Sequence, residues 1–162
     1  MELNDLQKKA LKVALDGHNV LVTGAAGTGK TFLVRHMFHE LSKRGINVSI
    51  TASTGIACTL YNQAMTLHKW SGIGDGRYSK ETIRSVVSNN VKFEDVRIRI
   101  KSTKVLIIDE CSMISQKTFE SLYEVLKIKD ATLPFGGLQI IMVGDFLQLP
   151  PVPNAMYQDS GS

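Results

Sequence analysis

The sequence predicts an α/β fold, a parallel sheet flanked by helices on both faces, and three observations carry that prediction. Apolar runs at 20–23, 48–52, 105–108 and 138–143 have the length and aliphatic content of buried strands. Each is followed by a helical pattern or a loop, the order that parallel strands require. The polar residues with chemical potential fall just after those runs, where open α/β sheets bind their ligands.

The elements follow in order. Leu3, Leu6, Ala10, Leu11, Ala14 and Leu15 repeat at helical spacing, with Asn4 or Asp5 as the cap and Gly17 as the stop. The first strand covers 20–23. A helix over 29–43 carries Phe32, Leu33, His36, Met37 and Leu41 on one face, and Gly45 ends it. The second strand is 48–52. Short helices are expected at 55–62 and 67–70, then a loop at 72–80 with three glycines. Residues 81–101 read as helix. The third strand, 105–108, ends at Asp109-Glu110, and Phe119, Leu122, Val125 and Leu126 mark an amphipathic helix. A turn at 134–137 precedes the fourth strand at 138–143. Pro150, Pro151 and Pro153 cannot continue a regular element.

Bulk properties narrow the classes. The 162 residues suffice for one domain, expected at 1–153 with a flexible tail at 154–162. The net charge of +4 permits a polyanionic partner without requiring one. No apolar run approaches the ~20 residues of a membrane span, and the N-terminus has no secretion-signal pattern. Cys58 and Cys111 lack metal-ligand spacing and are expected to be reduced and buried. The glycosylation pattern Asn47-Val48-Ser49 opens a core strand and is discounted.

The most informative motif is Gly24-Ala25-Ala26-Gly27-Thr28-Gly29-Lys30-Thr31, a G-x-x-x-x-G-K-T loop between a buried strand and a helix. Gly24, Gly27 and Gly29 let the backbone curl so that N–H groups, Thr28's included, face one anion. The helix start adds its positive dipole end. Lys30 can reach the β- and γ-phosphates of a nucleoside triphosphate, and the Thr31 hydroxyl can ligate Mg²⁺. In Asp109-Glu110, the first acid suits Mg²⁺ and the second suits activation of the attacking water. Gln148 lies four residues beyond Gly144, on a proline-stiffened loop. Its amide could sense a γ-phosphate, although spacing alone favours a surface glutamine in a turn. Gln7 could pair with adenine's N6 and N7 edge, although by itself it reads as a helix-surface residue.

Together these motifs resemble superfamily 1 DNA helicases of the PIF type. The matching pieces are Leu3-Asn4-Asp5-Leu6-Gln7, the glycine loop, Thr51-Ala52-Ser53-Thr54-Gly55-Ile56-Ala57, Thr66-Leu67-His68-Lys69-Trp70-Ser71-Gly72-Ile73-Gly74, Ile108-Asp109-Glu110-Cys111-Ser112-Met113-Ile114, and Gly144-Asp145-Phe146-Leu147-Gln148-Leu149-Pro150-Pro151-Val152. The resemblance implies a RecA-like phosphate-loop NTPase fold and ATP-driven 5′-to-3′ movement on single-stranded DNA. It assigns Gln7 to adenine, Lys30 and Thr31 to phosphate and Mg²⁺, Asp109 to Mg²⁺, Glu110 to water activation and Gln148 to γ-phosphate sensing. Ser53, Thr54 and His68 are the expected DNA contacts. Trp70 is read as core or as a base-stacking platform. The basic residues of 81–101 are read as a solvated face or as a DNA face.

Helicases of this type have a second RecA-like domain that supplies an arginine to the ATP pocket. The chain therefore reads as the first motor domain of a longer helicase, with Ser160-Gly161-Ser162 as a truncation or tag remnant. It is expected to be monomeric, to hydrolyse ATP weakly and not to unwind alone. The compartment implied is nucleus or mitochondrion in a eukaryote, otherwise cytoplasm. The alternative is a nucleotide-dependent interaction module without useful catalysis. A small-molecule kinase is disfavoured, since it would leave 144–152 without a role.

Overall fold

The computed structural model describes residues 2–24 and 29–145. Among them, five parallel strands form one sheet: β1 (Val20–Thr23), β2 (Val48–Ala52), β3 (Ala64–Thr66), β4 (Val105–Asp109) and β5 (Gln139–Gly144). Their spatial order is β1-β5-β4-β2-β3. β4 lies at the centre because it is apolar on both faces, and all five of its residues are buried. Alternation sends Val105 and Ile107 into one hydrophobic cluster and Leu106 and Ile108 into the other. Each of these aliphatic side chains contributes about 1.5–3 kcal/mol through burial.

Helices cover both faces. α1 (Asp5–Leu15) and α2 (Lys30–Lys43) lie on the side of Ile107. Asn4 caps α1 in a reciprocal box with Gln7, so the cap is Asn4 rather than Asp5. α3 (Gly55–Cys58) is one turn, shorter than the helix expected to residue 62. α4 (Leu67–Ser71), α5 (Lys80–Asn89), α6 (Glu94–Ser102) and α7 (Gln116–Leu126) bury their apolar faces around Leu106 and Ile108.

Two further sequence expectations are corrected. β3 makes a fifth strand on the edge, pairing Ile50 with Ala64 and Ala52 with Thr66. The expected helix over 81–101 is two helices, because Asn90 takes an extended conformation and its side chain accepts from Lys92 N, starting a separate 3₁₀ turn. Two arginines of this region, Arg97 and Arg99, have structural work. Arg97 Nη1 donates to Val87 O and Asn90 O, both at 2.8 Å, at the end of α5. Arg99 Nη2 donates to Lys69 O and Trp70 O at the end of α4. Trp70 is 1% exposed and belongs to the core.

Gly136, in the turn before β5, has φ +64°, and a Cβ there would lie 1.9 Å from Leu126 O at the end of α7. Gly136→Ala is expected to lower stability by about 2–5 kcal/mol, combining left-handed strain with forced separation of backbone from backbone. Chemical denaturation measures it, and a loss below the cost of left-handed strain alone would contradict the packing described.

Candidate functional site

Parallel strands put all their carboxyl ends on one edge of the sheet. Along that edge stand Gly24 after β1, Asp145 after β5, Asp109-Glu110 at the end of β4, Ser53-Thr54 after β2 and His68 after β3. The register pairs Ala52 with Asp109, and Ser53 N donates to Asp109 O at 3.2 Å, so the turn after β2 is stitched to the acidic strand end.

Lys30 opens α2, and its Nζ donates to Gly24 O at 2.6 Å, bridging the two ends of the glycine loop. Gly27 and Thr28 lie outside the described residues, as does Gln148. Gly29 caps α2 with φ +88°, and a Cβ there would sit 2.8 Å from Gln7 Nε2. The left-handed backbone favours glycine here, and a Cβ would push the Gln7 amide aside. Gln7 donates from Nε2 to Gly29 O at 3.4 Å while its Oε1 accepts from Asn4 N at 2.9 Å. The expected adenine reader is thus fixed beside the phosphate loop, with donor and acceptor capacity to spare.

Asp109 is 7% exposed, and each of its oxygens has a partner. Oδ1 accepts from Glu110 N and Oδ2 accepts from the Tyr61 hydroxyl, both at 2.7 Å. Tyr61 also bonds Thr31, and burial together with the Asp109 bond holds its phenol well above the ordinary range, so it stays protonated. No sequence motif flagged Tyr61. It lies between α3 and β3, and nothing in the local pattern marks it as facing Asp109.

Glu110 sits in the left-handed region, φ 52° and ψ 40°, a conformation seldom adopted by a residue with a side chain. Its Oε1 accepts from Thr54 Oγ1 at 2.8 Å and from Ser53 Oγ at 3.2 Å. Thr54 also caps α3 by accepting from Ala57 N. The hydroxyls expected to meet DNA therefore also hold the expected water-activating acid. His68 is half-buried on α4, at the same edge beyond β2.

Thr31 and Asp109 supply a hydroxyl and a carboxylate joined through one phenol. These hard oxygen donors suit Mg²⁺, which keeps several waters and takes its remaining ligands from phosphates.

The two cysteines differ. Cys58 is partly exposed and Cys111 is buried. Burial, with the Asp109 charge behind it, pushes the Cys111 thiol up to about 11. Only the thiolate reacts, so alkylation at about pH 8 is expected to modify Cys58 well before Cys111, with both modified at similar rates once unfolded. Peptide mapping reads the order. Faster labelling of native Cys111 would contradict its burial.

This strand order, with a phosphate loop after β1 and an acidic pair after β4, defines a RecA-like α/β domain. The family model described as PIF1-like helicase matches residues 2–160, and the chain belongs to that family. It is 42% identical over 147 residues to the ATP-dependent DNA helicase Pif1 of Psychrobacter sp. (strain PRwf-1), covering 90% of this chain and 22% of that protein. The Pif1 helicase of Candida albicans superposes with a TM-score of 0.83 at 36% identity, over 95% of this chain and 35% of that one. The Bacteroides Pif1 helicase in complex with ADP-AlF3 and ssDNA gives 0.74 at 32%, over 94% of this chain and 34% of that one. Among the described residues, no helix is long and apolar enough to cross a membrane.

Proposed function

We propose that this domain binds ATP with Mg²⁺ and single-stranded DNA, and acts as the first motor half of a 5′-to-3′ DNA helicase. The observation that supports this most is the run of hydrogen bonds along one sheet edge, from Thr31 through Tyr61 to Asp109 and from Glu110 to Ser53 and Thr54. It links the nucleotide side of the edge to the side expected to meet DNA.

In this reading Gln7 accepts adenine, and the loop amides with Lys30 neutralise the phosphates. Thr31 and Asp109 hold the Mg²⁺, which when bound offsets charge on the β- and γ-phosphate oxygens. Glu110 takes a proton from the attacking water. Gln148 reports loss of the γ-phosphate. Ser53, Thr54 and His68 contact the strand backbone. A strand phosphate that draws the two hydroxyls changes the donors on Glu110, which gives a route for DNA to stimulate hydrolysis. A second RecA-like domain contributes an arginine worth ~10³–10⁵ in rate in other NTPases, so this domain by itself hydrolyses slowly and separates no strands. The compartment proposed is nuclear or mitochondrial in a eukaryote.

Phosphate release measured with and without single-stranded DNA tests the coupling. Stimulation by DNA is expected. Nucleotide binding with no response to DNA would point to an interaction module instead, and robust unwinding by the monomer would overturn the need for a second half.

A further inference from the structure

Tyr61 has no part in the motif assignments, yet it stands between the two expected Mg²⁺ ligands. Its ring belongs to the same buried cluster as Leu33, Val34, Ile50 and Ile107, and the residue is 8% exposed. Only the hydroxyl reaches the sheet edge, where it donates to Asp109 Oδ2 at 2.7 Å and bonds Thr31.

The proton count orients this chain. A phenol has one hydrogen, and it goes to Asp109. The Thr31 hydroxyl therefore donates to the phenol oxygen, which leaves lone pairs on Thr31 Oγ1 for a cation. Asp109, with one donor on each oxygen, keeps a lone pair on each. The loop that carries Tyr61 is tied to α2 by Arg35, whose Nε donates to Leu60 O at 3.2 Å and whose Nη2 donates to the same oxygen. Arg35 lies one turn beyond Thr31, so helix, phenol and strand end form one braced unit.

Resting on the nucleotide reading above, we infer that Tyr61 is a positioning residue for the cation. Its hydroxyl sets the Thr31 hydroxyl and the Asp109 carboxylate at a fixed separation before the Mg²⁺-nucleotide arrives. A site arranged in advance loses less ordering entropy on binding, and the advantage belongs to the metal-dependent share of affinity alone.

The test is calorimetric titration of a non-hydrolysable ATP analogue, with Mg²⁺ and with EDTA, into the chain and into Tyr61→Phe. Phenylalanine keeps the buried ring and removes the hydroxyl. The gain in affinity from Mg²⁺ is expected to fall about tenfold, while the metal-free affinity stays within about twofold, showing an intact phosphate loop. Mn²⁺ resonance spectra with the same nucleotide give a readout independent of turnover, and the fraction of Mn²⁺ held should fall in parallel. Tyr61→Leu, which also lacks the hydroxyl, should reproduce the split and decides the matter if the first variant does not fold. An unchanged Mg²⁺ gain overturns the inference. An increased gain also overturns it, by making the hydroxyl an obstacle to the cation. If the unaltered chain binds no nucleotide at all, the reading of the whole site falls with it, a distinct result.

Discussion

Lys30→Ala is expected to abolish measurable nucleotide binding at micromolar protein, with affinity for a Mg²⁺-ATP analogue reduced about a hundredfold or more. A charge-assisted hydrogen bond from an ammonium to a phosphate is among the strongest single contacts available, and Lys30 supplies the loop's fixed positive charge. The substitution should leave the fold intact. Lys30 starts α2, whose stability rests on Leu33, Val34, Met37 and Leu41, all buried. Its bond to Gly24 O joins the loop ends, and losing it removes a tether without opening the core. Calorimetry and a thermal melt together make the check. Unchanged binding beside an unchanged melt would mean that phosphate does not sit at this loop.

Lys30→Arg makes the argument sharper. It preserves charge and changes shape, since a planar guanidinium is wider than an ammonium. Binding that recovers fully with arginine would indicate a diffuse electrostatic contribution rather than a fitted contact.

The parts of the site that could be read in the sequence are those held by contiguous residues. Lys30 and Thr31 follow a strand and start a helix, so spacing alone places them. Asp109 and Glu110 end an apolar run, and parallel packing does the rest. The four legible strands carry aliphatic runs: β4 is buried throughout, β2 and β5 are buried or half-buried, and β1 alternates half-buried with exposed residues. β3 is not legible because Ala64-Met65-Thr66 is three residues on the sheet edge, too short to show a period. The break at Asn90 has no local signal, because Asn89 and Asn90 are compatible with a helix until the Asn90 side chain finds Lys92 N.

Contacts between distant segments had no local signature. Tyr61 meets Asp109 across 48 positions, and Thr54 meets Glu110 across 56. Both contacts depend on β2 lying beside β4, with Ala52 opposite Asp109. Once that register is known, the turn after β2 can only fall next to the acidic pair. The motif resemblance assigns Ser53 and Thr54 to DNA alone. Their bonds to Glu110 give the same hydroxyls a second partner and join the two halves of the site.

Glu110→Gln is the variant that separates binding from chemistry. The amide is nearly isosteric with the carboxylate, and its carbonyl oxygen can still accept from Thr54 and Ser53 as Oε1 does. The left-handed backbone at this position carries the same strain with either side chain. Fold, nucleotide affinity and DNA affinity should therefore persist. What disappears is the basic oxygen that, in the proposed function, receives a proton from the attacking water, and general-base loss costs about 10²–10⁴ in rate. Single-turnover phosphate release in the presence of single-stranded DNA should fall by that factor, while fluorescent-nucleotide affinity stays within about threefold, short of the tenfold that 1.4 kcal/mol represents. Thr54→Val then distinguishes holding Glu110 from serving it. Removing the hydroxyl leaves the carboxylate in place but loses its 2.8 Å donor and the cap on α3. If the hydroxyls only restrain Glu110 until a strand arrives, basal release in Thr54→Val rises and the response to DNA shrinks. If they orient Glu110 for catalysis, basal and stimulated release fall together. Phosphate release by Glu110→Gln equal to that of the unaltered chain would remove Glu110 from the chemistry and leave Asp109 as the acid of consequence at this strand end.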